Sequence, residues 1–202
     1  MKRAVVIGVD EYRDDRIKDL KGSRNDAKEL ADLLATHGDF DVEELLLGAQ
    51  ATSEAIRTAV SDLLWRADEA KIALVYFSGH AYDDTYGNGF LAPHDMDYER
   101  PWVHGIRMQE LDALMAKAVN KEVVLLLLDA CKSGIAASGQ KAGPENVREF
   151  KDAFVSVEAE PPAGAKGRFV FASSGPDEKS HETCGEHQFL GGGSHDHGAF
   201  TF

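Results

Sequence analysis

Along this chain the spacing of apolar residues switches repeatedly between the strand period and the helix period. "RAVVIGV" (3–9) is apolar throughout and too short for a helix, which predicts a buried strand. "SRNDAKELADLLATHG" (23–38) sets Ala27, Leu30, Ala31, Leu33 and Leu34 at helical spacing, with Ser23 or Asn25 as the expected N-cap and Gly38 as the stop. "VEELLL" (42–47) predicts a second strand. "TSEAIRTAVSDLLWRA" (52–67) predicts a second amphipathic helix, capped by Thr52 or Ser53, with Ile56, Ala59, Val60, Leu63 and Leu64 on one face. A strand at 71–77 follows, and then a Gly/Asp/Asn-rich stretch in which "GNGFLAP" reads as a small hairpin. "RMQELDALMAKAV" (107–119) predicts a third helix, 122–128 a further strand and "RFVFASS" (168–174) one more. Strand alternating with helix predicts an α/β fold of parallel βαβ units, with helices on both faces of the sheet. From 136 to 167 the period dissolves into Gly, Pro, Ala and mixed charge, the pattern of an exposed linker. The tail 175–199 is rich in Gly, His and acidic residues.

Composition narrows the function classes. A chain of 202 residues with 43% hydrophobic and 28% charged residues fits one sizeable globular domain. Its net charge of −13, with no dense Lys/Arg cluster, argues against a nucleic-acid partner. No apolar run reaches about 18 residues, so no membrane association is expected. The apolar run near the N-terminus is too short for a signal peptide, and a reducing cytoplasm is the expected home. The two cysteines, Cys131 and Cys184, form no disulfide framework, which leaves Cys131 as a thiol.

Two strands end in chemistry. "KIALVYFSGHAYDD" (71–84) carries His80 three residues past its apolar run, and "EVVLLLLDACKSG" (122–134) carries Cys131 three residues past its own. Functional groups in open parallel sheets collect beyond the carboxyl ends of strands, so adjacent strands would bring imidazole and thiol together. A thiol with a pKa near 8.5 is mostly protonated at neutral pH, and a neighbouring imidazole makes its thiolate available. Small residues around both exits (Ser78, Gly79, Ala81, Ala130, Ser133, Gly134) leave backbone amides accessible to an oxyanion. The plainer alternative is that Cys131 is a small buried hydrophobe.

The flanking sequences resemble a known pair. "YFSGHA" is similar to the "YFSGHG" of metacaspases and bacterial caspase-like peptidases, and "DACKSG" to their "DACHSG", with the family's gap of about 50 residues between them. In order, "LKGSRNDAKEL" resembles the family's "L.GC.NDA..L" and "FLAPHD" its "LVP.D". "RFVFASSGPDEKSHE" with "HGAFT" resembles the opening of its small-subunit region. The resemblance to the caspase superfamily covers nearly the whole chain. It implies a caspase-like three-layer sandwich with a mostly parallel central sheet, and a cysteine endopeptidase acting on protein or peptide substrates. By the same resemblance Cys131 is the nucleophile and His80 the general acid/base, with the backbone amides of Ala81 and Cys131 as the oxyanion hole. Ala81 departs from the family's Gly, a change that is costly only if the position needs φ > 0.

Animal caspases cut after Asp and carry Gln two residues before the Cys, where this chain has Asp129. Asp26 and Ser78 also fall at pocket positions of metacaspase-like enzymes. Two carboxylates in a closed pocket favour Arg or Lys as the residue before the cut, the P1 residue. The simpler roles are a helix-start carboxylate for Asp26 and a strand-end surface acid for Asp129.

The layout implied is a large-subunit-like region at 1–137, a linker at 138–167 and the start of a small-subunit-like region at 168–202. A completing small-subunit segment or additional domains are expected partners. The linker offers Lys141, Arg148, Lys151 and Lys166 to self-processing. No resident cofactor is expected. Calcium would draw on Asp95 with Asp83, Asp84 and Asp97, but "IRMQEL" replaces the acidic pair that calcium-dependent relatives carry. His181, Cys184, His187, His195 and His197 match no structural-zinc spacing. Two other classes share these motifs: a catalytically weak or inactive regulatory or assembly module, and a thioester-forming transferase or ligase.

Overall fold

The computed structural model describes residues 1–66, 70–84, 86, 88–132 and 167–172, with only the backbone course given for 131–132. β1 (Lys2–Gly8), β2 (Phe40–Leu47), β3 (Ile72–Asp83), β6 (Val123–Lys132) and β7 (Arg168–Ala172) pair in parallel in the order β2-β1-β3-β6-β7. β4 (Gly89–Leu91) folds back antiparallel on the end of β3, and β5 (Ile106–Arg107) pairs with β4. Ala81 pairs with both Leu91 and Lys132. β4 therefore takes over the edge of β3 that β1 leaves at Ser78, the partner of Gly8.

Two apolar layers clamp this sheet. On one face α1 (Ser23–Thr36) sets Ala27, Ala31 and Leu34 against Ala4, Val6, Leu74 and Tyr76. On the other, α2 (Ser53–Trp65) and α4 (Met108–Ala116) pack Ile56, Val60, Leu64, Leu111 and Met115 against Val5, Ile7, Val75, Phe77, Leu126 and Leu128. Alternate residues of β1 and β3 feed opposite layers, as the two-residue repeat of a strand requires. The α/β architecture with helices on both faces is the one the sequence period predicts. Among the described residues no helix is long and apolar enough to cross a membrane.

Several local readings change. α1 is not capped by Ser23 or Asn25: Gly22 holds the cap position with no side-chain bond, and Ser23 is already helical and buried. The first turn also sits close against β1. Gly38 does end the helix region, its N–H donating to Leu33 and Leu34 carbonyls, but the left-handed residue is Asp39, at φ 56°. An Asp side chain tolerates that conformation better than most. Thr52 caps α2 as expected, its Oγ1 accepting the Ala55 N–H at 3.3 Å. A short α3 (Pro101–His104) and β5 precede α4. The expected linker, 138–167, lies outside the described residues except for Gly167.

Gly8 is where β1 and α1 meet most tightly. A Cβ there would lie 2.5 Å from the Ser23 carbonyl oxygen and 2.7 Å from Ala27 Cβ. Gly8→Ala is expected to lower stability by roughly 1–3 kcal/mol, the usual cost of overpacking. The measurement is a denaturant midpoint, shifted down with an unchanged m-value.

Candidate active site

His80 and Cys131 do not lie beyond their strands; both are inside them. β3 runs on to Asp83 and β6 to Lys132, because Ser78 and Gly79 continue the ladder against Asp129 and Ala130. Ser78 stands opposite Asp129, Gly79 opposite Ala130, His80 opposite Cys131 and Ala81 opposite Lys132. Neighbouring strands run about 4.8 Å apart, so positions 80 and 131 are immediate neighbours across the ladder.

His80 is 9% exposed, and its Nε2 lies 2.7 Å from the Lys18 carbonyl oxygen. A carbonyl can only accept, so Nε2 carries the proton and the neutral ring's basic nitrogen is Nδ1. Tyr12 and Tyr82 flank the imidazole, with ring centroids at 5.2 and 5.8 Å. The Tyr12 hydroxyl accepts the His80 backbone N–H at 3.0 Å and donates to the Val9 carbonyl at 3.1 Å. Burial pushes the Tyr12 phenol far above its ordinary range, so it stays a hydroxyl.

A second polar group lies beneath the same stretch of sheet. Asp26, in the first turn of α1, is 1% exposed; Ser78 and Asp129 face each other in register and are also buried. Tyr76 ties them together. Its hydroxyl lies 3.5 Å from Asp129 Oδ2 and hydrogen-bonds with Ser78. Burial, and then the charges of Asp129 and Asp26, push its phenol well upward. The structure thus brings Asp26, Ser78 and Asp129 together, and neither acid is a surface residue. Tyr12, Tyr76 and the Lys18 carbonyl are additions that the sequence reading missed. For Tyr76 the available signal was a phenol in a stretch read as a buried strand, since a buried tyrosine hydroxyl needs a partner; no such signal marked Tyr12.

Ala81 is buried between β4 and β6. Asp39 is the only non-glycine residue with positive φ among the described residues, so the Cβ of Ala81 carries no left-handed strain. The acidic residues considered for calcium have structural partners. Asp95 Oδ1 accepts the Ser53 N–H at 2.7 Å at the start of α2, and its Oδ2 lies 3.4 Å from His104 Nδ1. Asp97 pairs with Arg100 at 2.6 Å, and Asp84 accepts the Tyr86 and Asn88 N–H groups, each at 2.8 Å. Among the described residues no group of three or more His, Cys, Asp or Glu side chains could hold a metal ion. His181, Cys184, His187, His195 and His197 lie outside the described residues.

Comparison with known proteins bears on the fold and the family. The caspase-domain family matches residues 1–202. The human mucosa-associated lymphoid tissue lymphoma translocation protein 1 is 33% identical over 133 residues, 65% of this chain and 15% of that protein. The chain thus spans only a small part of that relative's length. Among solved structures, protein GSU0716 of Geobacter sulfurreducens superposes with a TM-score of 0.66 at 18% identity, covering 100% of this chain and 79% of the other. Caspase-1 of Spodoptera frugiperda superposes with a TM-score of 0.59 at 16% identity, covering 90% and 62% respectively. These two likenesses speak for the fold. With a mostly parallel sheet clamped by helices and a family match that runs from end to end, the chain belongs to the caspase-domain family of cysteine peptidases.

Proposed function

We propose that this domain hydrolyses peptide bonds after Arg or Lys, using Cys131 as nucleophile and His80 as general base and acid. One observation carries the reading. Asp129, with Ser78 opposite it, sits on the same two strands as the reactive pair, His80 and Cys131 following two residues further on, and Asp26 is buried in the first turn of α1. A cationic P1 side chain would enter the Asp26–Ser78–Asp129 group, and the carbonyl after it would then lie beside positions 80 and 131.

His80 Nδ1 takes the Cys131 proton while the Lys18 carbonyl holds Nε2–H. The thiolate adds to the scissile carbonyl, the imidazolium returns its proton to the leaving amine, and water then hydrolyses the thioester with His80 again as base. This chemistry calls for no cofactor. In this reading the backbone amides of Ala81 and Cys131 are the donors to the oxyanion. The division into a large-subunit-like region at 1–137, a linker at 138–167 and a small-subunit-like region from 168 belongs to the same reading.

The test is a fluorogenic peptide panel varied only at P1. Arg and Lys substrates are expected to be cleaved, with Asp and uncharged P1 residues turned over at least roughly 100-fold less efficiently, about 3 kcal/mol of discrimination. Preference for Asp at P1 would overturn the pocket assignment. Adding an amine nucleophile separates hydrolysis from ligation, since a ligase would divert the thioester to amide product.

A further inference from the structure

One edge of β3 changes partners at the residue on which the chemistry depends. Through Ser78 that edge is held by β1, and from Ala81 it is held by β4. His80 lies in the handover. Its carbonyl accepts the Ala92 N–H at 2.9 Å, just beyond β4, while its own N–H donates to the Tyr12 hydroxyl at 3.0 Å. That hydroxyl donates in turn to the Val9 carbonyl at 3.1 Å, and the Val9 N–H donates to the Ser78 carbonyl at 2.9 Å. A side chain thus splices the two neighbours of β3. Gly79 makes room for the splice: a Cβ there would lie 3.2 Å from Tyr12 Oη and 3.0 Å from Phe77 Cζ.

Tyr12 reaches the other supports of His80 as well. Its ring lies 5.2 Å from the imidazole, tilted by 33°. Its backbone N–H donates to Asp19 Oδ1 at 3.0 Å, and the residue before Asp19 is Lys18, whose carbonyl accepts Nε2–H at 2.7 Å. Backbone, ring face and Nε2 partner of His80 are therefore all referred to Tyr12, the first two through its side chain and the third through its backbone N–H.

We propose that Tyr12 is a positioning residue for the catalytic imidazole, fixing both the placement of His80 and the carbonyl that orients its ring. The inference rests on His80 being the general base. A proton carrier held within a few tenths of an ångström of its working geometry loses rate steeply when that geometry loosens. The carbonyl bond to Nε2 also favours the imidazolium, so weakening it lowers the pKa of the ring.

Tyr12→Phe keeps the ring and removes the hydroxyl. With the intact chain and the best Arg or Lys peptide, kcat is expected to fall roughly 10- to 100-fold with KM little changed. The acid limb of the kcat/KM profile is expected to move to lower pH. Asp19→Ala, at an exposed position, tests the same clasp without touching the core and is expected to shift the acid limb in the same direction with a smaller loss of kcat. If Tyr12→Phe fails to fold, Asp19→Ala alone decides. His80→Ala is run in parallel. Loss of activity in His80→Ala, with unchanged kcat and pH profile in the Tyr12 and Asp19 variants, overturns the inference while leaving the base assignment standing. A lower melting temperature in Tyr12→Phe with wild-type kinetics overturns it as well. Activity retained in His80→Ala overturns the base assignment and the inference with it.

Discussion

Replacing Cys131 by Ala is expected to reduce peptide hydrolysis by at least roughly 10³-fold, and His80→Ala to do nearly the same. The double variant should be no worse than the more damaged single one. The thiol supplies the bond-forming sulfur, while the imidazole supplies both the thiolate and the proton for the departing amine. Once either is gone the other has nothing to act on, and their contributions cannot multiply. The geometry gives this expectation its content. Positions 80 and 131 are paired across one ladder, and the Lys18 carbonyl fixes the imidazole with its basic nitrogen at Nδ1. Single-turnover kinetics with an Arg or Lys peptide, supported by mass detection of the acyl-enzyme, is the measurement. Wild-type-like turnover in either variant would remove the dyad from the mechanism.

The second large effect belongs to Asp129. Asp129→Asn preserves size and removes one of the two charges that would meet a cationic P1 side chain. The expected loss in kcat/KM for Arg and Lys substrates is several-fold to hundreds-fold, about 1–3 kcal/mol for a charge-assisted contact. Substrates with a neutral isostere of Arg should lose much less, and that ratio isolates the charge from any change of shape. Asp26→Asn is expected to act in the same direction. Buried at the start of α1 within reach of Tyr76, it shares one low-dielectric environment with Asp129, so the two effects should not simply add. Equal losses for charged and neutral substrates would make these acids structural.

Architecture was legible because burial writes itself into spacing. Each long strand and helix left an apolar period, and the two faces of the sheet followed from α1, α2 and α4. Where β3 and β6 end was not legible. Their apolar runs stop at Phe77 and Leu128, but backbone pairing is indifferent to side-chain polarity and continues through Ser78, Gly79 and Asp129. The four-residue α3 and two-residue β5 are too short to show any period. The positions of Asp26, Ser78, His80, Asp129 and Cys131 came from motifs. Which of them meet, and through which phenol, depends on register and on how closely α1 sits on β1, and no local pattern encodes either. Tyr12 illustrates the limit. Its role comes from a gap between β1 and β4, a property of the sheet and not of the residues that flank it in sequence.

One consequence of the shared register concerns depth. On the proposed reading, the group that recognises the substrate and the group that cuts it are separated by two residues on each of two strands, about 7 Å of extended backbone. That interval is quantised. A single-residue insertion in β3 or β6 would turn every following side chain to the opposite face, so the interval can change only by a full strand repeat. Point substitutions at 26, 78 or 129 can alter which charge is read, but not how far from the cut it is read. The domain would therefore act as a gauge of fixed length with an exchangeable tip, able to move from one long P1 side chain to another without reshaping the catalytic end.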